Sequence, residues 1–308
     1  MYSLISIRGS RSVASALLLF PLSMSAQTVD TLPAARSTAC GSCAEWNVPH
    51  APTRIHGNTY YVGTNGLSAI LVTSNDGHVL IDGDLPESAT QILANVRALG
   101  FRVEDVKLIV NSHAHFDHAG GLAALQQATH ATVAASPWSA RVIERGTSES
   151  DDPQFGILQS FPPVAHVQVI ADGDTLRVGR LAVVAHFTAG HTPGGTSWSW
   201  QSCDQGRCLD LVYADSQTPV SADDFFFTRS RTYPSALADF ERGFGVLEHL
   251  RCDVLLTPHP GASSFWERMA ARDNGATPPL VDSGACRRYA ATARVQLARR
   301  VASEAAKP

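Results

Sequence analysis

After its first 26 residues the chain has no apolar stretch close to the about 20 residues that a membrane-spanning helix needs. An excess of one charge is also missing. The 24 Lys and Arg are set against 28 Asp and Glu, the net charge is −4, and no basic patch stands out. That argues against nucleic acid as a partner, because phosphate backbones are held by clustered cations. There is no low-complexity tract and no short repeat, which excludes a disordered linker and a solenoid. The pair Cys40 and Cys43 lacks the second C-x-x-C of a structural zinc site, and no strand precedes it as in a redox motif.

What is present begins with an export signal. Arg8 and Arg11 give a positive start, Val13 to Leu22 an apolar core, and Ser23-Met24-Ser25-Ala26 a site for cleavage. The core is too short to hold a bilayer as a stable helix. Residues 1–26 are expected to be a cleaved signal peptide and residues 27–308 one exported, periplasmic domain, with monomer as the default state. Six cysteines agree with an oxidising compartment. Cys203 and Cys208 bracket a hairpin tip and are expected to be bonded. Cys252 and Cys286 could tie the last strand to the C-terminal helix, and Cys40 with Cys43 reads as a short-range disulfide or an intermolecular pair.

Periodicity divides the chain into strands and helices. Residues 27–54 read as an extended arm. Strands follow at 59–62, 67–73 and 78–81, with Asn75-Asp76-Gly77 as a hairpin turn. Further strands are expected at 106–110, 131–135, 167–170, 176–178, 181–187, 196–200, 209–213 and 254–256. Helices are expected at 86–99, 122–128, 138–145, 234–250, 263–271 and 284–305. Two mixed sheets face to face with helices outside fit this order better than one wound parallel sheet.

The most informative segment is the octet Asn111-Ser112-His113-Ala114-His115-Phe116-Asp117-His118, directly after the apolar run Val106 to Val110. Four metal-competent side chains in one strand-end loop could serve two ions. They are imidazoles and a carboxylate, the ligands of catalytic zinc, with no thiol to suggest a closed structural site. Two more histidines share this setting. His191 follows Leu181 to Phe187 and precedes Pro193-Gly194-Gly195, and His259 follows Val254 to Leu256 between Pro258 and Pro260. The other seven histidines lack it and read as ordinary core or surface residues. Ser112 reads as a loop hydroxyl bonded to backbone. Residues 146–163 read as a long loop, of which 151–162 either fold over the cleft through Gln154 and Phe155 or are solvated. Phe225 to Phe227 read as a packed edge.

The octet, Gly190-His191-Thr192 and Pro258-His259-Pro260 resemble the metallo-β-lactamase superfamily. Gly57 to Gly63, Pro193 to Trp198, Tyr213-Ala214-Asp215-Ser216 and Cys252 to Pro260 narrow the resemblance to the third subclass of class B β-lactamases, over about residues 45–289. The resemblance implies an αββα sandwich (an α+β fold of four layers) with a metal site at one edge. It implies two Zn2+ ions, one held by His113, His115 and His191 and the other by Asp117, His118 and His259. It also implies hydrolysis of β-lactam amides by a metal-bound hydroxide oriented by Asp117, with Ser216 and Thr218 at the substrate carboxylate. The first two subclasses carry a Cys ligand where this chain has Tyr213 to Ser216. No S-x-x-K motif marks Ser216 as a nucleophile.

Two other readings stay open on sequence alone. Relatives that hydrolyse lactones, thioesters or phosphodiesters commonly bridge both metals with an Asp in the stretch that here holds Asp215. An exported zinc-binding protein without turnover is the other, though it would gain little from an open metal position.

Overall fold

The computed structural model describes residues 38–275 and 280–306. The expected signal peptide lies outside the described residues. The described residues form one compact unit.

Seven strands make the first sheet, in the order β1 (Thr53–His56), β2 (Thr59–Tyr61), β3 (Ile70–Val72), β4 (His78–Ile81), β5 (Val106–Val110), β6 (Thr132–Ala135) and β7 (Val167–Val169). Its pairs are antiparallel up to β4 and parallel beyond. The second sheet runs β12 (Val254–Leu256), β11 (Arg207–Tyr213), β10 (Thr196–Asp204), β9 (Leu181–Phe187) and β8 (Thr175–Val178). Only its β11–β12 pair is parallel.

Side-chain alternation separates the layers. Ile70, Val72, Val79, Ile81, Leu108 and Val110 pack inward against Trp198, Trp200, Leu211 and Tyr213 of the second sheet. On the outer face Leu71, Leu80, Ile109 and Val133 meet Ile92, Leu93 and Val96 of α2 (Ala89–Ala98), Leu122 and Leu125 of α4 (Leu122–Thr129), and Val142 and Ile143 of α5 (Pro137–Arg145). Val212 and Leu255 point the other way, onto Phe240, Phe244 and Leu247 of α6 (Ala236–His249) and Ala290, Ala293 and Leu297 of α8 (Ala285–Ala305). The first sheet's central strands are apolar on both faces because both are covered. The result is the expected αββα sandwich. Smaller helices are α1 (Cys43–Trp46), α3 (Phe116–Ala119) and α7 (Phe265–Asn274).

The layers place one rim. Leu256 of β12 lies beside Tyr213 of β11, which is opposite Trp198 of β10, and Phe187 of β9 is opposite Thr196. The C-terminal ends of β9, β11 and β12 therefore meet at one edge. Thr196 N donates to Ser112 O at 2.8 Å and fastens the octet of the first sheet to that edge.

Four details differ from the sequence expectation. The arm contains α1 and β1. β1 was obscured because only Ile55 of its residues is buried and its register shifts between Arg54 and His56. The strand expected over 67–73 pairs only at Ile70–Val72, since Ser68 N donates to Pro258 O instead. The octet is not all loop: Phe116–Ala119 makes a helical turn, with His118 N and Ala119 N donating to His115 O. β10 and β11 run on to the hairpin tip, where Cys203 and Cys208 are paired partners.

Three disulfides join Cys40 to Cys43, Cys203 to Cys208 and Cys252 to Cys286, so the C-x-x-C is the short-range bond. Cross-links restrict the unfolded chain more when the closed loop is longer. Replacing Cys252 and Cys286 together by Ala, a separation of 34, is expected to cost about 2–4 kcal/mol. The same change at Cys203 and Cys208, a separation of 5, is expected to cost less. Urea titration under oxidising conditions checks this, and equal losses would contradict it.

Candidate metal centre

The rim gathers two groups of potential ligands. His113, His115 and His191 offer three ligand atoms that all lie within 4.8 Å of one another, and so do Asp117, His118 and His259. All six sequence candidates are thus brought together. Five are buried, and only the His259 side chain, 32% exposed, reaches the surface.

Outer hydrogen bonds fix the rings. His113 Nδ1 donates to Asp215 Oδ1 at 2.7 Å, His115 Nε2 to Asp152 Oδ2 at 3.0 Å, and His191 Nδ1 to Thr218 O at 2.8 Å. Each bond holds one ring proton away from the centre, which leaves Nε2 of His113, Nδ1 of His115 and Nε2 of His191 as lone pairs. Burial pushes the His113 pKa well down, and the neighbouring His118, His115 and His191 push it further. Burial, with His115 next, lowers His191 to about 3. Both rings are therefore held neutral, the form that ligates a metal. Burial also opposes charge on His115, but the Asp152 carboxylate outweighs it and raises that ring's pKa.

The second group centres on a carboxylate. Asp117 Oδ2 is 3.3 Å from His118 Nε2 and 3.3 Å from His259 Nε2. Burial raises the Asp117 pKa, yet His118 and His259 together hold it well below the usual carboxylate range. Both nitrogens of His118 are buried without a hydrogen-bond partner. Such atoms are rare unless something else satisfies them. A metal ion fits, since imidazoles with a carboxylate are zinc's catalytic donor set.

Behind the ligands lies a support that the sequence reading missed. Asp82 Oδ1 accepts from Ser112 N at 2.7 Å and Asn111 Nδ2 at 3.0 Å; its Oδ2 accepts from Ser112 Oγ at 2.6 Å and Tyr213 OH at 2.8 Å. Ser112 thus bonds a side chain, not the backbone as expected. Asp82 sits at φ 62°, a left-handed conformation unusual for a non-glycine residue. The only sequence signal was a carboxylate directly after the apolar strand β4. A Cβ on Gly195 would lie 2.4 Å from Asp215 Oδ2, so the turn carrying His191 can pass Asp215 only with glycine there.

Both groups line a cavity of about 380 Å³. Ser216, Thr218 and Val220 form one wall, Gln154, Ile157 and Leu158 another, and Cys40 to Ser42 with Trp46 a third. Trp46 lies against His259 with ring centroids 5.0 Å apart. The loop over 151–162 therefore does reach the cleft through Gln154, while Phe155, 50% exposed, lines a separate surface cleft. Phe227 is buried between Phe225 and Phe240, so that aromatic run is packing.

Asp215 bears on the question left open by the sequence. It is fully buried, belongs to neither group of potential ligands, and meets the outer nitrogen of His113.

A four-layer sandwich with a histidine-rich edge matches the family model described as the metallo-beta-lactamase superfamily over residues 62–264, and the chain belongs to that superfamily. Within it the likeness is to subclass B3 enzymes. The chain superposes on the Rm3 metallo-beta-lactamase with a TM-score of 0.84 at 54% identity, covering 87% of this chain and 99% of that one. For MEM-A1, a subclass B3 metallo-beta-lactamase from a soil metagenome library, the TM-score is 0.83 at 46% identity, covering 85% of this chain and all of the other. YobT, an uncharacterised protein of Bacillus subtilis, is 32% identical over 147 residues, 46% of this chain, which spans 59% of YobT's length.

Replacing Asp152 or Asp215 by Ala would free the ring it orients. Each change is expected to weaken one metal equivalent about 10–100-fold and leave the other nearly unchanged. Chelator competition on the metal-loaded protein measures this, and unchanged affinity in both variants would show that the rings need no such support.

Proposed function

We propose that this chain is a zinc-dependent β-lactamase that opens the amide ring of penicillins, cephalosporins and carbapenems and so confers antibiotic resistance. The observation that carries the reading is the pair of three-atom ligand groups side by side at the floor of an open cleft. One zinc on His113, His115 and His191 and another on Asp117, His118 and His259 would supply a Lewis acid and activate water near neutral pH.

The chain's own residues do the rest. Asp117, kept ionised by His118 and His259, is an acceptor that can orient the attacking water by a hydrogen bond. Ser216 and Thr218 face the cleft and would bind the substrate carboxylate. Ser216 would be a binding residue and not a nucleophile, because the free nitrogens of His113 and His191 would be given to the metal and no S-x-x-K motif accompanies it. Asp215, turned to His113, supports the β-lactam reading over a lactone, thioester or phosphodiester hydrolase with a bridging carboxylate.

Cleavage after Ala26 would release a mature, monomeric, periplasmic enzyme. No helix among the described residues is long and apolar enough to cross a membrane.

Hydrolysis of a carbapenem by the purified mature chain, with chelator and then with zinc restored, tests the reading. Turnover is expected to be lost and to return. Turnover that survives thorough metal removal, or none with two zincs bound, would refute it.

A further inference from the structure

The connection from β11 to α6, residues 214–235, has no regular structure. It exceeds the about 12–15 residues above which unstructured connections are uncommon and often carry function. Near its start it reaches all three histidines of the first ligand group. Asp215 Oδ1 accepts from His113 and Thr218 O accepts from His191. Ala222 N donates to Pro153 O at 2.8 Å, next to the Asp152 that holds His115.

The other end of the connection is gripped from the C-terminal helix. Glu304, 2% exposed, accepts four hydrogen bonds. They come from Phe227 N at 3.0 Å, Thr228 N at 2.9 Å, Thr228 Oγ1 at 2.8 Å and Arg300 Nε at 2.7 Å. Arg300 Nη2 then donates to Ser221 Oγ at 2.6 Å and Phe225 O at 2.8 Å. A buried carboxylate with both oxygens doubly used is a rigid element, because losing any one partner leaves a buried charge uncompensated. Only Pro219 and Val220 separate Ser221 from Thr218, and the proline ring limits how far those ends can move apart independently.

We infer that Glu304 and Arg300 are positioning residues, a brace on the C-terminal helix that sets the loop that orients His113 and His191 and is tied beside the Asp152 that orients His115. This rests on the reading above, in which those histidines hold a metal. The brace acts on one metal selectively, since the close polar contacts of Asp117 run to His118 and His259, whereas those of His113 and His191 run to this loop.

Glu304→Gln keeps the shape and removes the charge, while Arg300→Lys keeps the charge and removes the planar fork. Both are compared with the wild-type full chain, first for fold by circular dichroism and then for metal affinity by chelator competition. The expected result is that one metal equivalent weakens about tenfold in each folded variant while the other stays put. Trypsin, which cuts after arginine, is expected to cleave faster at Arg229 and Arg231 in the loop. A variant that melts earlier yet keeps both affinities within twofold of wild type would overturn the brace, leaving Glu304 a stabiliser of the helix end alone. A wild-type chain that takes up no metal would overturn the reading beneath it.

Discussion

Which nitrogen each histidine leaves free decides everything at this rim. An imidazole can face a metal with either of two atoms, and the choice is made by the bond on the far side of the ring. Here a carboxylate, a second carboxylate and a backbone carbonyl make that choice for His113, His115 and His191. Burial then keeps His113 and His191 uncharged. The three supports come from two loops, Asp152 from the one after α5 and Asp215 and Thr218 from the one after β11, so the sandwich must bring those loops to one edge before the histidines can act together.

The sheets supply that edge through their connectivity. Parallel neighbours must be joined by a crossover, and the crossovers α2, α4 and α5 cover the outer face of the first sheet. That leaves the strand ends free to carry chemistry. Asp82 follows β4, the octet follows β5, His191 follows β9, Asp215 follows β11 and His259 follows β12. The strained backbone at Asp82 is one local cost, and its carboxylate holds four groups in return.

The ligands were legible in the sequence because each directly follows an apolar run and sits among Gly, Pro or further ligands. The sandwich was legible because strand alternation and helix periodicity are local. The supports were not. Asp152 and Asp82 meet their partners across separations of 37 and 30 residues; Asp152 has no local mark and Asp82 only its place directly after β4. Asp215 was visible as a candidate, but its direction was not, since bridging and orienting differ by the side of one ring. β1 and the turn at Phe116–Ala119 are too short to show a period. Tertiary hydrogen bonds at Ser68 delay the start of β3 to Ile70, where composition alone begins it at Leu67.

Each ligand group draws two side chains from the first sheet's rim and one from the second. An ion in either group is therefore a rivet through both halves of the sandwich, as well as a reagent. Any ligand that binds only the folded form adds stability that grows with the logarithm of its free concentration. On the proposed reading, the resistance of this chain to unfolding follows the metal content of its surroundings. Withholding metal would act on the amount of intact protein as well as on its turnover.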